Sequence, residues 1–188
     1  MDVNKTMSEK NYFKFFLALV LCLMVRLIPF RAPNVEPILA TTMPLGRAYG
    51  AFLGFSFAVL SIFLYDLVTG TLGMQTFFTV LAYGILGWWS ANYFKNFKKN
   101  EANNWSYVRF AILGTLFYDV LTGLTVGPIL FHQSFFGSVV GQIPFTALHL
   151  ISNIVFALIL SPAIYKFLIK KKKKKTLPNF NTINPKTI

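Results

Sequence analysis

The sequence predicts an all-α membrane protein of six transmembrane helices, with both ends in the cytoplasm and a parallel internal repeat of helix hairpins. Three observations lead there. The 188 residues are 55% hydrophobic, with 21 Phe against only 6 acidic side chains, which is more apolar surface than a water-soluble domain can bury. Several apolar stretches approach the ~20 residues that a helix needs to cross a bilayer. Finally, one phrase occurs twice: Tyr65-Asp66-Leu67-Val68-Thr69-Gly70 returns as Tyr118-Asp119-Val120-Leu121-Thr122-Gly123. Each copy is followed by a matching second phrase, Gln75-Thr76-Phe77-Phe78 or Gln133-Ser134-Phe135-Phe136, so the repeat unit is a pair of segments.

The first span covers about residues 12–28. Lys5, Lys10 and Lys14 before it resemble a signal peptide, but no small-x-small cleavage pattern follows, so it reads as a retained span after a cytoplasmic stretch at 1–11. Ala18 and Cys22 give it a small-xxx-small edge where another helix, including one of a docking partner, can approach closely. Arg26 falls near its far end, placed to snorkel or to pair with an acid. Three prolines, Asn34 and Glu36 make 29–37 a loop or broken backbone.

Residues 38–68 are then apolar for 31 positions, about 47 Å as one helix at ~1.5 Å per residue, against a hydrocarbon core of ~30 Å. The positive-inside rule decides how to read them. Lysines before the first span and Lys95, Lys98 and Lys99 both belong in the cytoplasm, so an even number of crossings separates them. The run therefore splits, with a turn between Gly46 and Gly54. A fourth span follows at about 76–94, with Trp88, Trp89 and Tyr93 suited to the cytoplasmic interface. A fifth runs from about 107 to 122, and the last from about 144 to 167. The stretch from Gly123 to Gln142, rich in glycine, reads as a loop or re-entrant piece.

The net charge of +12 is explained by position. Six consecutive lysines, from Lys170 to Lys175, open a basic tail at 170–188 directly after the last span. They suit contact with anionic lipid headgroups rather than nucleic acid. The single cysteine excludes an internal disulfide and a Cys-rich metal site, and His132 and His149 have no carboxylate or Cys nearby at ligand spacing, so no structural metal is expected.

This topology gathers Arg26, Glu36, Asp66 and Asp119 at the outer end of the bundle, together with Asn34, Gln75 and Gln133 of the outer segments. Opposite charges at one depth describe a polar pocket open to the outside, and ionisable residues near the membrane interior are expensive enough to mark function. The competing role for each Asp is to cap the loop that follows it in an Asx-type turn. On the last span His149 and Asn153, four apart, share one helix face and join the candidate binding residues.

Three phrases carry a family resemblance: Pro33-Asn34-Val35-Glu36-Pro37, Ala82-Tyr83-Gly84-Ile85-Leu86-Gly87, and Pro144-Phe145-Thr146-Ala147-Leu148-His149 continuing to Asn153 and Phe156. In order and placement they resemble the substrate-binding S component of energy-coupling factor (ECF) vitamin transporters over about residues 26–167. Members often have Asn at the place of Asp66 and a Trp-rich phrase near 75–78, where this chain has Phe, which points to a different ligand. The resemblance implies a six-helix protein of a prokaryotic cell membrane. It would capture a small vitamin-like molecule from outside and dock on a transmembrane coupling subunit driven by two ATPase subunits. No phosphate-binding Gly-x-x-x-x-Gly-Lys loop is present, so the ATPases are partners, and the chain itself needs no cofactor. Two other classes remain open: a two-aspartate intramembrane hydrolase, in which paired carboxyls share a proton and activate water, and a structural membrane partner with no polar pocket.

Overall fold

In the computed structural model, which describes residues 9–30, 34–97 and 103–169, the chain forms six helices: α1 (Glu9–Arg26), α2 (Ile38–Tyr49), α3 (Ala51–Thr69), α4 (Met74–Lys95), α5 (Asn104–Leu130) and α6 (Phe135–Ile169). Of these, α3, α5 and α6 are long and apolar enough to cross a membrane. Lys5, Pro33, Lys98, Lys99 and the tail from Lys170 to Lys175 onward lie outside the described residues.

The polarity of α6 is the reverse of a water-soluble helix. Its inward face carries His149, Ser152, Asn153, Ala157 and Ser161, while Leu148, Ile151, Val155 and Ile159 point outward and are exposed. Small and polar residues inside with branched apolar ones outside is the arrangement expected when the surroundings are as apolar as the side chains.

The long apolar run breaks at Gly50, inside the window from Gly46 to Gly54. Gly50 has φ +96°, a left-handed value open to glycine at little cost. The chain folds back there: a Cβ on Gly54 would stand 3.0 Å from the Cα of Gly46 and 2.5 Å from the carbonyl oxygen of Gly87. Three helices, α2, α3 and α4, thus meet backbone to backbone on glycines, as small residues permit.

The first half of that run, α2, is the hub. Every residue from Ile38 through Gly46 is buried, and α2 packs on all five other helices. At 12 residues it measures about 18 Å, too short to cross ~30 Å of hydrocarbon alone. Pro44 sits inside it and has no N–H to give to the carbonyl of Ala40 one turn earlier. Ser161 of α6 supplies the missing donor, its hydroxyl bonding Ala40 O at 2.7 Å. A buried carbonyl is satisfied from a neighbouring helix, as prolines in membrane helices require.

Both copies of the repeated phrase close a helix pair, α3 with α4 and α5 with α6. In each, the Thr donates back to the carbonyl of its own Tyr, Thr69 to Tyr65 and Thr122 to Tyr118, both at 2.8 Å. There the copies part. Gly70 takes a left-handed φ of 72° and Thr71 N–H bonds Asp66 O at 2.9 Å, ending α3. Gly123 instead stays inside α5, which runs on to Leu130.

The expected loop or re-entrant piece at 124–142 is therefore replaced by helix on both sides of a short turn at 131–134. Packing explains it. A Cβ on Gly123 would collide with the side chain of Gln142, and one on Gly127 would come within 2.8 Å of Ser138 Oγ, so these glycines admit α6 at close range. Glycine's weak helix propensity is overridden by that tertiary contact.

Two smaller expectations change as well. Trp88 is exposed, but Trp89 and Tyr93 turn inward onto Phe110, with ring centroids 5.2 and 5.1 Å away. Ala18 and Cys22 are buried, 9% and 3% exposed, in the core with residues of α3. The helices that approach this small-xxx-small edge belong to the chain itself, so the edge offers no open docking surface here.

Candidate functional site

Where α1 and α3 end and α4 begins, the helices enclose a cavity of about 260 Å³. Its walls include Arg26 from α1, Asn34 and Glu36 from the connecting segment, Asp66 from α3, Gln75 from α4, and His149 from α6. Six of the nine polar residues singled out in the sequence thus converge on one cavity. Ile62, Thr71, Thr79, Tyr118 and Phe145 complete it.

Arg26 is held from three sides. Its Nε lies 3.2 Å from Glu36 Oε2, one terminal nitrogen donates to Ser61 O at 2.8 Å, and the guanidinium stacks 3.8 Å over the ring of Tyr65. A planar guanidinium suits this combination of ion pair and ring face. Glu36 in turn accepts the Tyr83 hydroxyl at 2.8 Å. Tyr83 is fully buried, with its ring 4.5 Å from that of Tyr118, so the ion pair is anchored to the bundle interior. Asn34 has a left-handed φ of 63°, which Asn tolerates, and its amide donates to Phe145 O at 3.2 Å, tying the connecting segment to α6.

The two aspartates diverge with their repeats. Asp66 accepts the hydroxyl of Thr76, the second residue of its following phrase, at 2.6 Å, so its side chain staples α3 to α4 instead of forming an Asx turn. In the second copy α5 continues seven residues past Gly123, about 10 Å, and carries the matching Ser134 out of reach. Ser134 there accepts the N–H of Gly137 at the start of α6. Asp119 is paired across the helices instead, its Oδ1 2.8 Å from His149 Nδ1, both side chains almost wholly buried. The sequence near His149 offers no carboxylate, and the fold brings it one from 30 residues away in the chain. One helical turn deeper, Asn153 donates to the hydroxyl of Thr115 at 2.8 Å.

This ladder separates the candidate residues into those that line the cavity and those that support it. His149 is on the wall, with the rings of Tyr118 and Phe145 at 5.6 and 5.9 Å. Asp119 and Asn153 lie behind it and do not line the cavity. Gln133 lies elsewhere, in a second cavity of about 420 Å³ between the ends of α5 and α6. Its lining includes Gly127, Gly137, Gly141 and Ser138, and shares Thr79, Tyr118 and Phe145 with the first.

Thr115 and Tyr83 were not candidates, yet they fix Asn153 and Glu36. A signal for Thr115 existed: Thr115 and Asp119 are four apart, the spacing of His149 and Asn153, and the contacts Asp119–His149 and Thr115–Asn153 are each centred on position 134, just where α5 turns into α6. Among the described residues no group of three His, Cys, Asp or Glu side chains is arranged to hold a metal ion.

No protein-family model, curated protein or solved structure matches the chain.

Proposed function

We propose that the chain is the membrane-embedded substrate-capture subunit of an ECF-type importer in a prokaryotic cell membrane. It binds a small vitamin-like molecule from the outer face, with six crossings and both ends in the cytoplasm. It then releases it through a transmembrane coupling subunit driven by two ATPase subunits, and catalyses no reaction itself. The lysines from Lys170 to Lys175 hold the tail against anionic lipid.

The observation that carries this reading is the convergence of Arg26, Asn34, Glu36, Asp66, Gln75 and His149 on one cavity framed by aromatic rings. A concave site with a few placed polar groups is what small-molecule recognition requires. A structural membrane partner has no use for it. The hydrolase alternative needs two carboxyls sharing one site, whereas Asp66 is engaged by Thr76 and Asp119 by His149. The shortness of α2 is compatible with a crossing because protein surrounds it on every side, so it has little contact with lipid.

The test is reconstitution. Purified alone, the chain should retain its ligand at ~1 μM or tighter, about −8 kcal/mol, identifiable by mass spectrometry of copurifying small molecules. Uptake of that compound into liposomes should require the coupling subunit, both ATPases and ATP. Accumulation by the chain alone without ATP would refute the proposal.

A further inference from the structure

The chemistry of the ligand can be read from which valences around the first cavity are already used. Among the described residues its one fixed cation, Arg26, is paired with Glu36, donates to Ser61 O and lies on the face of Tyr65, although its Nε makes no hydrogen bond. Asp66 has no such counterpart. The hydroxyl of Thr76 takes one oxygen, and no Lys, Arg or His among the described residues pairs with the carboxylate. Against Arg26 the cavity thus sets two carboxylates, Glu36 and Asp66, and one of them has no charge partner.

The remaining groups add further acceptors. His149 is 2% exposed, and its Nε2 has no hydrogen-bond partner. Its Nδ1 faces the carboxylate of Asp119, and because a carboxylate only accepts, the ring proton sits on Nδ1. In the neutral ring Nε2 is then a buried, unpartnered lone pair on a residue that lines the cavity. The amides of Asn34 and Gln75 each spend one of their two N–H donors on a backbone carbonyl, of Phe145 and of Thr71, and each keeps an oxygen that can accept. Four acceptors, one of them charged, therefore surround a space flanked by the rings of Tyr118 and Phe145.

We propose that this cavity selects a small, planar, donor-rich organic cation, such as an amidinium, a guanidinium or a protonated amino-heterocycle, over neutral or anionic molecules of the same shape. The inference rests on the binding-subunit reading and names the ligand class of that site. The cation places N–H donors on Asp66 and on His149 Nε2 while its flat face lies along the aromatic walls. Charge-assisted bonds to Asp66 and ring-face attraction act together in selecting it. Asp119 is a positioning residue here: by holding the proton on Nδ1 it fixes Nε2 as an acceptor.

The experiment titrates the full chain in nanodiscs with three isosteric probes, benzamidine, benzamide and benzoate, and needs neither ATP nor partner subunits. Benzamidine should bind saturably, at least about tenfold tighter than benzamide, with benzoate weakest. Asp66→Asn keeps an oxygen for Thr76 and should remove that preference without opening the α3–α4 hairpin, as checked by thermal unfolding. Because the charge series is read first on the unaltered protein, it decides the question even where the variant misfolds. Equal affinity for the three probes, preference for benzoate, or no saturable benzamidine binding up to about 10 mM would overturn the proposal. A benzamidine preference without energised uptake would keep the ligand class and remove the transport reading. Energised uptake of an anionic solute would do the opposite.

Discussion

Gly87→Ala should loosen the bundle at its tightest point, whereas the same change at Gly141 should not. A methyl at Gly87 would run into the carbonyl of Gly54, standing 2.5 Å from its carbon and 2.8 Å from the backbone nitrogen of Phe55. Backbone cannot rotate aside as a side chain does. Restoring an ordinary contact of 3.4 Å to that carbon alone requires α3 and α4 to part by about 0.9 Å, the difference between 3.4 and 2.5, and the carbonyl oxygen is closer still. A gap of that size forfeits a quarter to a half of the dispersion attraction across it, and overpacking of this kind costs ~1–3 kcal/mol.

With three helices meeting at this point, the upper figure applies. Set against ~1 kcal/mol gained in helix propensity, the net loss is about 2 kcal/mol. For a chain of this length that lowers Tm by roughly 4–8 °C. At Gly141 an added methyl meets nothing within 4 Å, so only the propensity gain remains, and Tm should rise by up to roughly 4 °C. Cys22 provides the assay, because the chain's only cysteine is 3% exposed and a thiol-reactive fluorogenic dye reads its release on heating. Equal shifts for the two variants, or an unchanged Tm for Gly87→Ala, would refute the backbone-contact argument.

Asp119→Ala leaves the buried His149 Nδ1–H without its acceptor and should cost ~1–3 kcal/mol in thermal unfolding, with Asp119→Ala/His149→Ala costing less than the sum of the single changes. Asn153→Ala should lower stability by ~1–3 kcal/mol through the lost Thr115 bond and leave benzamidine affinity of the folded fraction unchanged, whereas His149→Ala should weaken that affinity. Ser161→Ala orphans the Ala40 carbonyl beneath Pro44 and should destabilise by ~1–3 kcal/mol, measured in the same melt. In a Cys22→Ser background, cysteines replacing Thr71 and Lys95 should react with impermeant reagents from opposite sides of the membrane. Reaction from one side would defeat the six-span topology.

The elements that could be read from the sequence were those set by length and charge. The break between Gly46 and Gly54 followed from the positive-inside count applied to a run too long for one bilayer, and the grouping of Arg26, Glu36 and Asp66 followed from helix ends falling at one level. The extension of α5 was hidden because Gly123 and Gly127 look like loop residues until Gln142 and Ser138 are seen packing on them. Register hid more. The identical phrases around Asp66 and Asp119 suggested identical roles, yet a difference of seven helical residues after the phrase gives one aspartate a threonine and the other a histidine. The burial of Ala18 and Cys22 could not be assigned from spacing, because a small-residue edge is the same whether its neighbour is the chain itself or another protein.

The Asp119–His149 pair also imposes an order on synthesis. In a chain being made into a bilayer, α5 is complete at Leu130 while the partner of its mid-helix carboxylate is still unmade. A lone Asp at a helix centre costs ~2.5–3.5 kcal/mol to insert. His149 follows Asp119 by 30 residues, about 2–6 s of translation at ~5–20 residues per second. For that interval α5, though apolar enough to cross a membrane, carries an unpaired carboxylate, which is relieved when α6 brings His149, and with it Asn153 for Thr115, alongside. The two helices should therefore leave the insertion machinery as a couple, in contrast to the unassisted partition of α3. Nascent chains stopped at Leu130 and at Ile169 distinguish the two cases: glycosylation-site mapping should find α5 integrated only in the longer one, and integration in both would show that the carboxylate does not need its partner to enter lipid.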